Sequence, residues 1–159
     1  MSEGRQTINE LDLEPIMVKV MDKEEGYGWS LEFTTRVAAE YKRYLTLCLE
    51  NPDFPMVPST FVDEFWHFHI LDTQKYQEDC NQVFGYFLHH FPYFGMRGEQ
   101  DAENLKNAWA ESCALYERQF GSIDKELWPA SKRCPNCGVR CRDSHPYFKE
   151  ERPRLKLVA

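Results

Sequence analysis

Four histidines that lie close together in the chain supply ligand types for metal chemistry. They occur in two stretches rich in aromatic residues, VDEFWHFHILD at 62–72 and FLHHFPYFG at 87–95. Imidazole and carboxylate groups bind zinc and ferrous iron, and such an ion with an open coordination position activates a water or binds a substrate. The sequence therefore indicates a zinc or iron site for which we select five candidate ligands. These candidates are Asp63, His67, His69, His89 and His90.

The helical period limits how the first two histidines can be used. Each residue of a helix advances by about 100 degrees, so His67 and His69 point about 200 degrees apart and cannot hold one ion without unwinding. All faces of this segment are largely apolar, which predicts that it is buried nearly all round. An unpaired buried polar group costs about 1–3 kcal/mol, so each imidazole needs a partner.

Two interpretations of these histidines stay open. In the first, each imidazole is tied to a separate carboxylate or carbonyl and only stabilises the core. In the second, a turn after the next helix brings His89 or His90 back to His67 or His69, and the imidazoles converge on an ion. Glu64 and Asp72 are further oxygen donors, as ligands or as hydrogen-bond partners of ligands.

Capping residues, prolines and glycines divide the chain into helices that would position these groups. The connector at 51–59 has three prolines and must be extended, and the aromatic loop at 86–98 fits no period. Asp72 is predicted to cap a new helix, and no alternating strand pattern of any length occurs. The sequence thus predicts an all-α, compact helical bundle. Its predicted helices cover 12–22, 30–50, 60–71, 73–84 and 101–120, and residues 122–128 are predicted to add one turn.

The histidine segment resembles a known family. An aspartate, then W-H-x-H, a leucine and a tyrosine are the hallmark of the glycine-rich domain-containing protein-like family, a helical module whose stand-alone form occurs in bacteria. The resemblance covers 29–120 and implies a helical fold but no established reaction. The glycine-rich segment that names the family is absent here. The matching residues are Asp63, Trp66, His67, His69, Leu71 and Tyr76.

A second metal site is predicted in the tail, in the stretch RCPNCGVRCRDSH at 133–145. Cys134 and Cys137 have the C-x2-C spacing of a zinc knuckle, and Cys141 and His145 complete a four-ligand set. We expect a structural zinc here. The alternatives are a reduced tail with incidental thiols or an iron–sulfur centre, which lacks a fourth cysteine nearby.

The remaining cysteines follow helical spacing and are predicted to be core residues, with Cys80 kept as an outlying candidate ligand. A nucleophilic Cys–His pair is also not excluded, although nothing in the sequence places a thiol beside an imidazole. The chain has no signal-peptide core and no apolar run of about 20 residues that would span a bilayer. We therefore expect a cytoplasmic protein with reduced thiols and no membrane partner.

Charge separates the chain into two parts. The net charge is −7, yet residues 132–159 contain eight Lys or Arg against three acidic residues, so the tail carries +5 and the rest −12. We predict a helical domain at 1–129 that contains the WHFH and LHHFPYFG motifs, and a cysteine-containing basic tail at 130–159. The basic tail allows a nucleic-acid partner, although the acidic body disfavours it.

The sequence supports two functional hypotheses and assigns no reaction. No nucleophile elbow, phosphate-binding loop or dinucleotide fingerprint is present, so serine hydrolase, nucleotide and nicotinamide chemistry have no support. The first hypothesis is a metal-binding helical protein whose body site does chemistry or binds a small ligand. The second is a non-enzymatic adaptor, in which the histidines are structural and the zinc-knuckle tail binds a protein or nucleic-acid partner.

Overall fold

The computed structural model describes residues 2–129, 140–141 and 151–155, and in these ranges the chain is helical apart from one short pair of strands. The predicted all-α body is confirmed, whereas the predicted zinc-knuckle-like tail lies mostly outside the described residues. The helices are α1 (Glu3–Glu10), α2 (Glu14–Met21), α3 (Leu31–Glu50), α4 (Thr60–Leu71), α5 (Thr73–Phe84) and α6 (Glu99–Phe120). The strands are β1 (His89–His90) and β2 (Arg140–Cys141), which pair antiparallel.

Local capping interactions define the two helices that carry the motif. The Ser59 hydroxyl accepts a hydrogen bond of 3.2 Å from the Val62 amide and so begins α4. The Asp72 carboxylate accepts from the Lys75 amide at 3.3 Å and begins α5 directly after α4. Gly85, with φ 74°, ends α5 in the left-handed region that favours glycine. These boundaries agree with those predicted from the sequence.

One terminal element differs from the prediction. Helix α1 is not predicted from the sequence, because Ile8 is the single large apolar side chain in it. It is stabilised by packing against α3 and α5, and by the Ser2 hydroxyl, which accepts from the Arg5 amide at 3.3 Å. The turn predicted at 122–128 is confirmed, and in it the Trp128 amide donates to the Asp124 carbonyl at 2.8 Å.

Helix α3 lies at the centre of the bundle and contacts α1, α2 and α4. A buried carboxylate on α3 also holds the C-terminal part of the body. Glu40 accepts hydrogen bonds from the Tyr116 hydroxyl at 2.7 Å and from Trp128 Nε1 at 2.9 Å. Aromatic side chains form much of the core. Its largest fully buried aromatic side chains are Tyr41, Tyr44, Phe65, Trp66, Tyr76, Phe94 and Tyr116.

Helix α4 is less completely buried than the sequence pattern predicts. Asp63 and His69 are each 2% exposed, whereas Leu71 is 71% exposed. Glu64 and His67 are half-buried, so one face of the helix reaches solvent. None of the helices in the described ranges has the length and apolar character needed to cross a bilayer.

An acidic side chain on α6 fixes the loop that follows β1. Asp101 accepts hydrogen bonds from the Gly95 amide at 2.8 Å and the Arg97 amide at 3.1 Å, and it also forms an ion pair with the Arg97 guanidinium. The guanidinium lies 4.9 Å from the centre of the Phe91 ring. The loop therefore leaves β1 along a defined path, which keeps His90 against the bundle.

Candidate metal centre

One carboxylate and two imidazoles converge at the partly open face of α4. His90 Nε2 lies 2.9 Å from Asp63 Oδ1, and His67 Nε2 lies 3.1 Å from Asp63 Oδ2. The two Nε2 atoms lie 2.9 Å from each other. Among the described residues these three form a group that could hold a metal ion, with potential ligand atoms all within 4.8 Å of one another.

The first two members come from a single helical turn. Asp63 and His67 are four residues apart, so their side chains lie on the same face of α4. His90 reaches them from β1, after α5 and the turn at Gly85 have reversed the chain. Two elements far apart in sequence thus form one group, which we call the Asp–His–His cluster: Asp63, His67 and His90.

The spacing within this cluster suits a metal ion of ordinary size. With ligand bonds of about 2.1 Å, two ligand atoms at right angles lie about 3.0 Å apart, and two atoms of a tetrahedron about 3.4 Å apart. The observed separations of 2.9–3.1 Å already equal the first value. An increase of a few tenths of an ångström in these separations would give the tetrahedral value of about 3.4 Å. Two histidines and one carboxylate are also the ligand set of many zinc hydrolases and non-haem iron enzymes.

A chain of aromatic contacts positions His90. Its ring packs on the Trp66 indole with the ring centres 4.4 Å apart. Trp66 Nε1 donates to the Tyr76 hydroxyl at 2.9 Å, and that hydroxyl donates to the Leu88 carbonyl. Tyr76 on α5 therefore connects α4 to the residues that precede β1. Because all of these side chains are buried, the orientation of His90 is set by core packing.

Each member of the cluster changes the proton affinity of the others. Burial alone raises the pKa of the Asp63 carboxyl, but hydrogen bonds from His67 and His90 outweigh it and hold this pKa well below its ordinary value. The hydrogen bond to Asp63 raises the pKa of His67. Burial, together with the charge of Asp63, raises the pKa of the neighbouring Glu64. The site therefore contains an ionised carboxylate that favours a cation.

His69 lies in a separate buried network. Its Nδ1 lies 2.6 Å from the Tyr41 hydroxyl, and its Nε2 lies 2.8 Å from Asp79 Oδ2. Asp79 is in turn 3.1 Å from the Lys75 ammonium. Both ring nitrogens of His69 thus have partners in the core, and the structure does not bring this histidine into the Asp–His–His cluster.

The other predicted ligands lie elsewhere. His89 is exposed, and its ring packs against Phe87 with the centres 4.7 Å apart. Cys80 is buried and has no place in the cluster, and Asp72 caps α5. The proposed tail ligands Cys134, Cys137 and His145 lie outside the described residues, and for Cys141 only the pairing of its backbone with His89 is described.

One part of this arrangement follows from the sequence and another does not. Asp63 and His67 are four residues apart, so the helical period by itself predicts that both lie on one face of the segment. The partners of His69 had no such signal, because Tyr41 and Asp79 belong to helices on either side of α4. Only packing brings those groups together.

Comparison with known proteins corrects the resemblance described above. The model of the UCP032817-like family, which has no characterised function, matches residues 3–126. No curated protein matches the chain, and no solved structure does. The assignment to the glycine-rich domain-containing protein-like family is therefore wrong. It depended on a few motif positions, and so few positions do not identify a family. Because the match covers most of its length, the chain belongs to the UCP032817-like family.

Proposed function

We propose that this protein binds one divalent transition metal ion, zinc or iron(II), through Asp63, His67 and His90. The ion keeps an open coordination position at which it activates a water or binds a small ligand. The observation that carries this proposal is the convergence of two imidazole nitrogens, 2.9 Å apart, on one carboxylate, with His90 Nε2 at 2.9 Å from Asp63 Oδ1 and His67 Nε2 at 3.1 Å from Asp63 Oδ2. Three protein ligands with a free position are typical of catalytic rather than structural metal sites.

The proton arrangement of the cluster supports a cation at its centre. If both Nε2 atoms carry a hydrogen for Asp63, the two N–H groups of His67 and His90 face each other at 2.9 Å with no acceptor between them. If one of these nitrogens lacks its hydrogen, its lone pair faces a lone pair of the Asp63 carboxylate, and no hydrogen bond joins the two acceptors. A metal ion accepts lone pairs from both nitrogens and from the carboxylate, so it removes the conflict.

Access from solvent supports the open position. The His67 side chain is 40% exposed, whereas the side chains of Asp63 and His90 are 4% and 8% exposed. The cluster is therefore approached from the His67 side and closed on the others. A ligand or substrate can reach the ion along this side without any opening of the aromatic core.

The adaptor hypothesis needs a different experimental result. In that case the histidines of the body are structural, and any zinc belongs to Cys134, Cys137, Cys141 and His145 of the tail. The spacing of these cysteines supports a structural zinc there, so the two sites must be separated by experiment. A protein or nucleic-acid partner of the basic tail fits this alternative.

The test is the metal content of the full chain in which Cys134→Ser, Cys137→Ser and Cys141→Ser remove the tail thiolates. The chain is produced in medium supplemented with zinc and iron, and metal is measured per chain after dialysis. We expect one ion per chain, its loss in His90→Ala, and its retention in the matched control His89→Ala. Absence of metal from the chain that lacks the tail thiolates would overturn the proposal. An equal loss of metal in His90→Ala and His89→Ala would overturn it as well.

A further inference from the structure

Glu64 is an acidic residue beside the Asp–His–His cluster that the cluster itself does not use. It lies on α4 directly after Asp63, and it is half-buried. Within the described part of the chain, the Glu64 carboxylate has neither a hydrogen bond nor an ion pair. The Glu64 carboxylate is therefore free to interact with a group bound at the cluster.

The position of Glu64 on the helix is that of a known catalytic group. Asp63, Glu64 and His67 form the run D-E-x-x-H, which places an acidic residue directly after the first of two ligands spaced by four. In the H-E-x-x-H helix of metalloproteases the same position holds the general base beside the metal-bound water. The helical period sets this direction, so it applies whether the first ligand is a histidine or an aspartate.

Helix geometry also separates Glu64 from the ligand positions. Asp63 and His67 lie about 40 degrees apart around the axis, and Glu64 lies about 80 degrees from the direction midway between them. Its carboxylate therefore flanks the face on which the two ligands meet.

We propose, on the basis of the metal site proposed above, that Glu64 is the general base of a metal-dependent hydrolase. Its carboxylate accepts a hydrogen bond from the water at the open coordination position and takes a proton from that water. The substrate class is then an ester or amide whose carbonyl carbon is attacked by the resulting hydroxide. Hydrolysis needs no oxidant, reductant or further cofactor.

The step can be written for para-nitrophenyl acetate as a probe. Water loses one proton to Glu64, and its oxygen forms a bond to the carbonyl carbon. The bond from that carbon to the phenolic oxygen then breaks, and the electron pair leaves with para-nitrophenolate. The proton held by Glu64 passes to solvent or to the leaving group, and Glu64 is restored. The net reaction of the ester with water gives acetic acid and para-nitrophenol, each of which ionises according to the pH.

The experiment uses the full chain lacking the tail thiolates, loaded with zinc, and compares Glu64→Gln with the exposed control Glu78→Gln. We expect Glu64→Gln to keep one zinc per chain and to lower kcat for the probe by about 100-fold or more. Glu78→Gln should keep one zinc per chain and an unchanged kcat. The conservative variant Glu64→Asp should recover part of the activity, which a merely structural role for Glu64 would not predict.

Each other outcome has a separate meaning. Loss of zinc in Glu64→Gln, as in His90→Ala, would make Glu64 a metal ligand and overturn the proposal. Unchanged hydrolysis in Glu64→Gln, or zinc-loaded protein without any hydrolysis of the probe, would overturn it as well. Failure of the unmodified cluster to bind zinc would instead remove the metal site itself, so the two proposals fail in distinguishable ways.

Discussion

His67 and His90 are 23 positions apart in the chain, yet their Nε2 atoms lie 2.9 Å from each other. The first belongs to α4 and the second to β1, so the contact joins α4 to the strand that follows α5. Any ion held between these nitrogens would therefore cross-link α4 to β1. Metal binding and stability should be coupled for that reason.

Zinc should raise the stability of the body through this cross-link. At a free zinc concentration 100 times the dissociation constant, the free energy of unfolding should increase by about 2.7 kcal/mol. Urea unfolding of the chain lacking the tail thiolates, with zinc and with a chelator, measures the increase. His67→Ala should abolish it, and His89→Ala should leave it unchanged. An equal zinc effect in both variants would place the ion elsewhere.

Removal of the Tyr76 hydroxyl should weaken both the fold and the metal site. Tyr76→Phe leaves Trp66 Nε1 and the Leu88 carbonyl without their partner, at a cost of about 1–3 kcal/mol in the free energy of unfolding. Metal affinity should fall as well, because Trp66 supports the His90 ring. Urea unfolding and zinc titration check the two effects. The matched control Tyr93→Phe removes a hydroxyl outside this chain of contacts, and a loss of metal affinity there would contradict the explanation.

The Asp79 carboxylate should contribute to the acid sensitivity of the fold. Burial raises its pKa, but hydrogen bonds from His69 and Lys75 outweigh burial and leave the pKa below 3.8. The folded state therefore holds fewer protons on Asp79 than the unfolded state near this pH. The resulting stability is present above about pH 3.8 and is lost as the pH falls through the lowered pKa.

Asp79→Asn should accordingly be less stable than the unmodified chain at neutral pH, and the gap should narrow below pH 4. Urea unfolding from pH 7 to pH 3 in the presence of a chelator measures it, since the chelator removes any contribution of metal. Glu78→Gln, which neutralises an exposed carboxylate one position away, serves as the control. A constant gap between Asp79→Asn and the unmodified chain across this range would contradict the assignment.

Glu40 and Arg36 should differ in their importance although both hold the segment after α6 on α3. Glu40→Gln disturbs a buried carboxylate that accepts from Tyr116 and Trp128, so we expect a loss of about 1–3 kcal/mol in the free energy of unfolding. Arg36→Ala removes only exposed ion pairs, including one with Asp124, and should cost less than about 1 kcal/mol. Urea unfolding compares them, and equal costs would contradict the argument.

Much of the helical framework could be predicted because its signals are local. The prolines of the connector, the caps Ser59 and Asp72 and the glycine at position 85 act within a few residues of themselves. The sequence also indicated which part of the chain would contain a site, because ionisable groups stood in an apolar helix. Helix α1 has a capping serine, Ser2, but Ile8 is its single large apolar residue, and packing against α3 and α5 stabilises it.

The choice of which histidines meet was decided only by the tertiary structure. In extended chain, neighbouring side chains point to opposite sides, so a shift of one residue exchanges His89 for His90. The packing of His90 on Trp66 fixes that register here. His69 lies outside the Asp–His–His cluster because its Nε2 contacts Asp79, an acidic residue on another helix. The amino-acid sequence by itself determined the helices and the supply of ligands, because local interactions govern both. Their convergence depends on long-range packing, which no short stretch encodes.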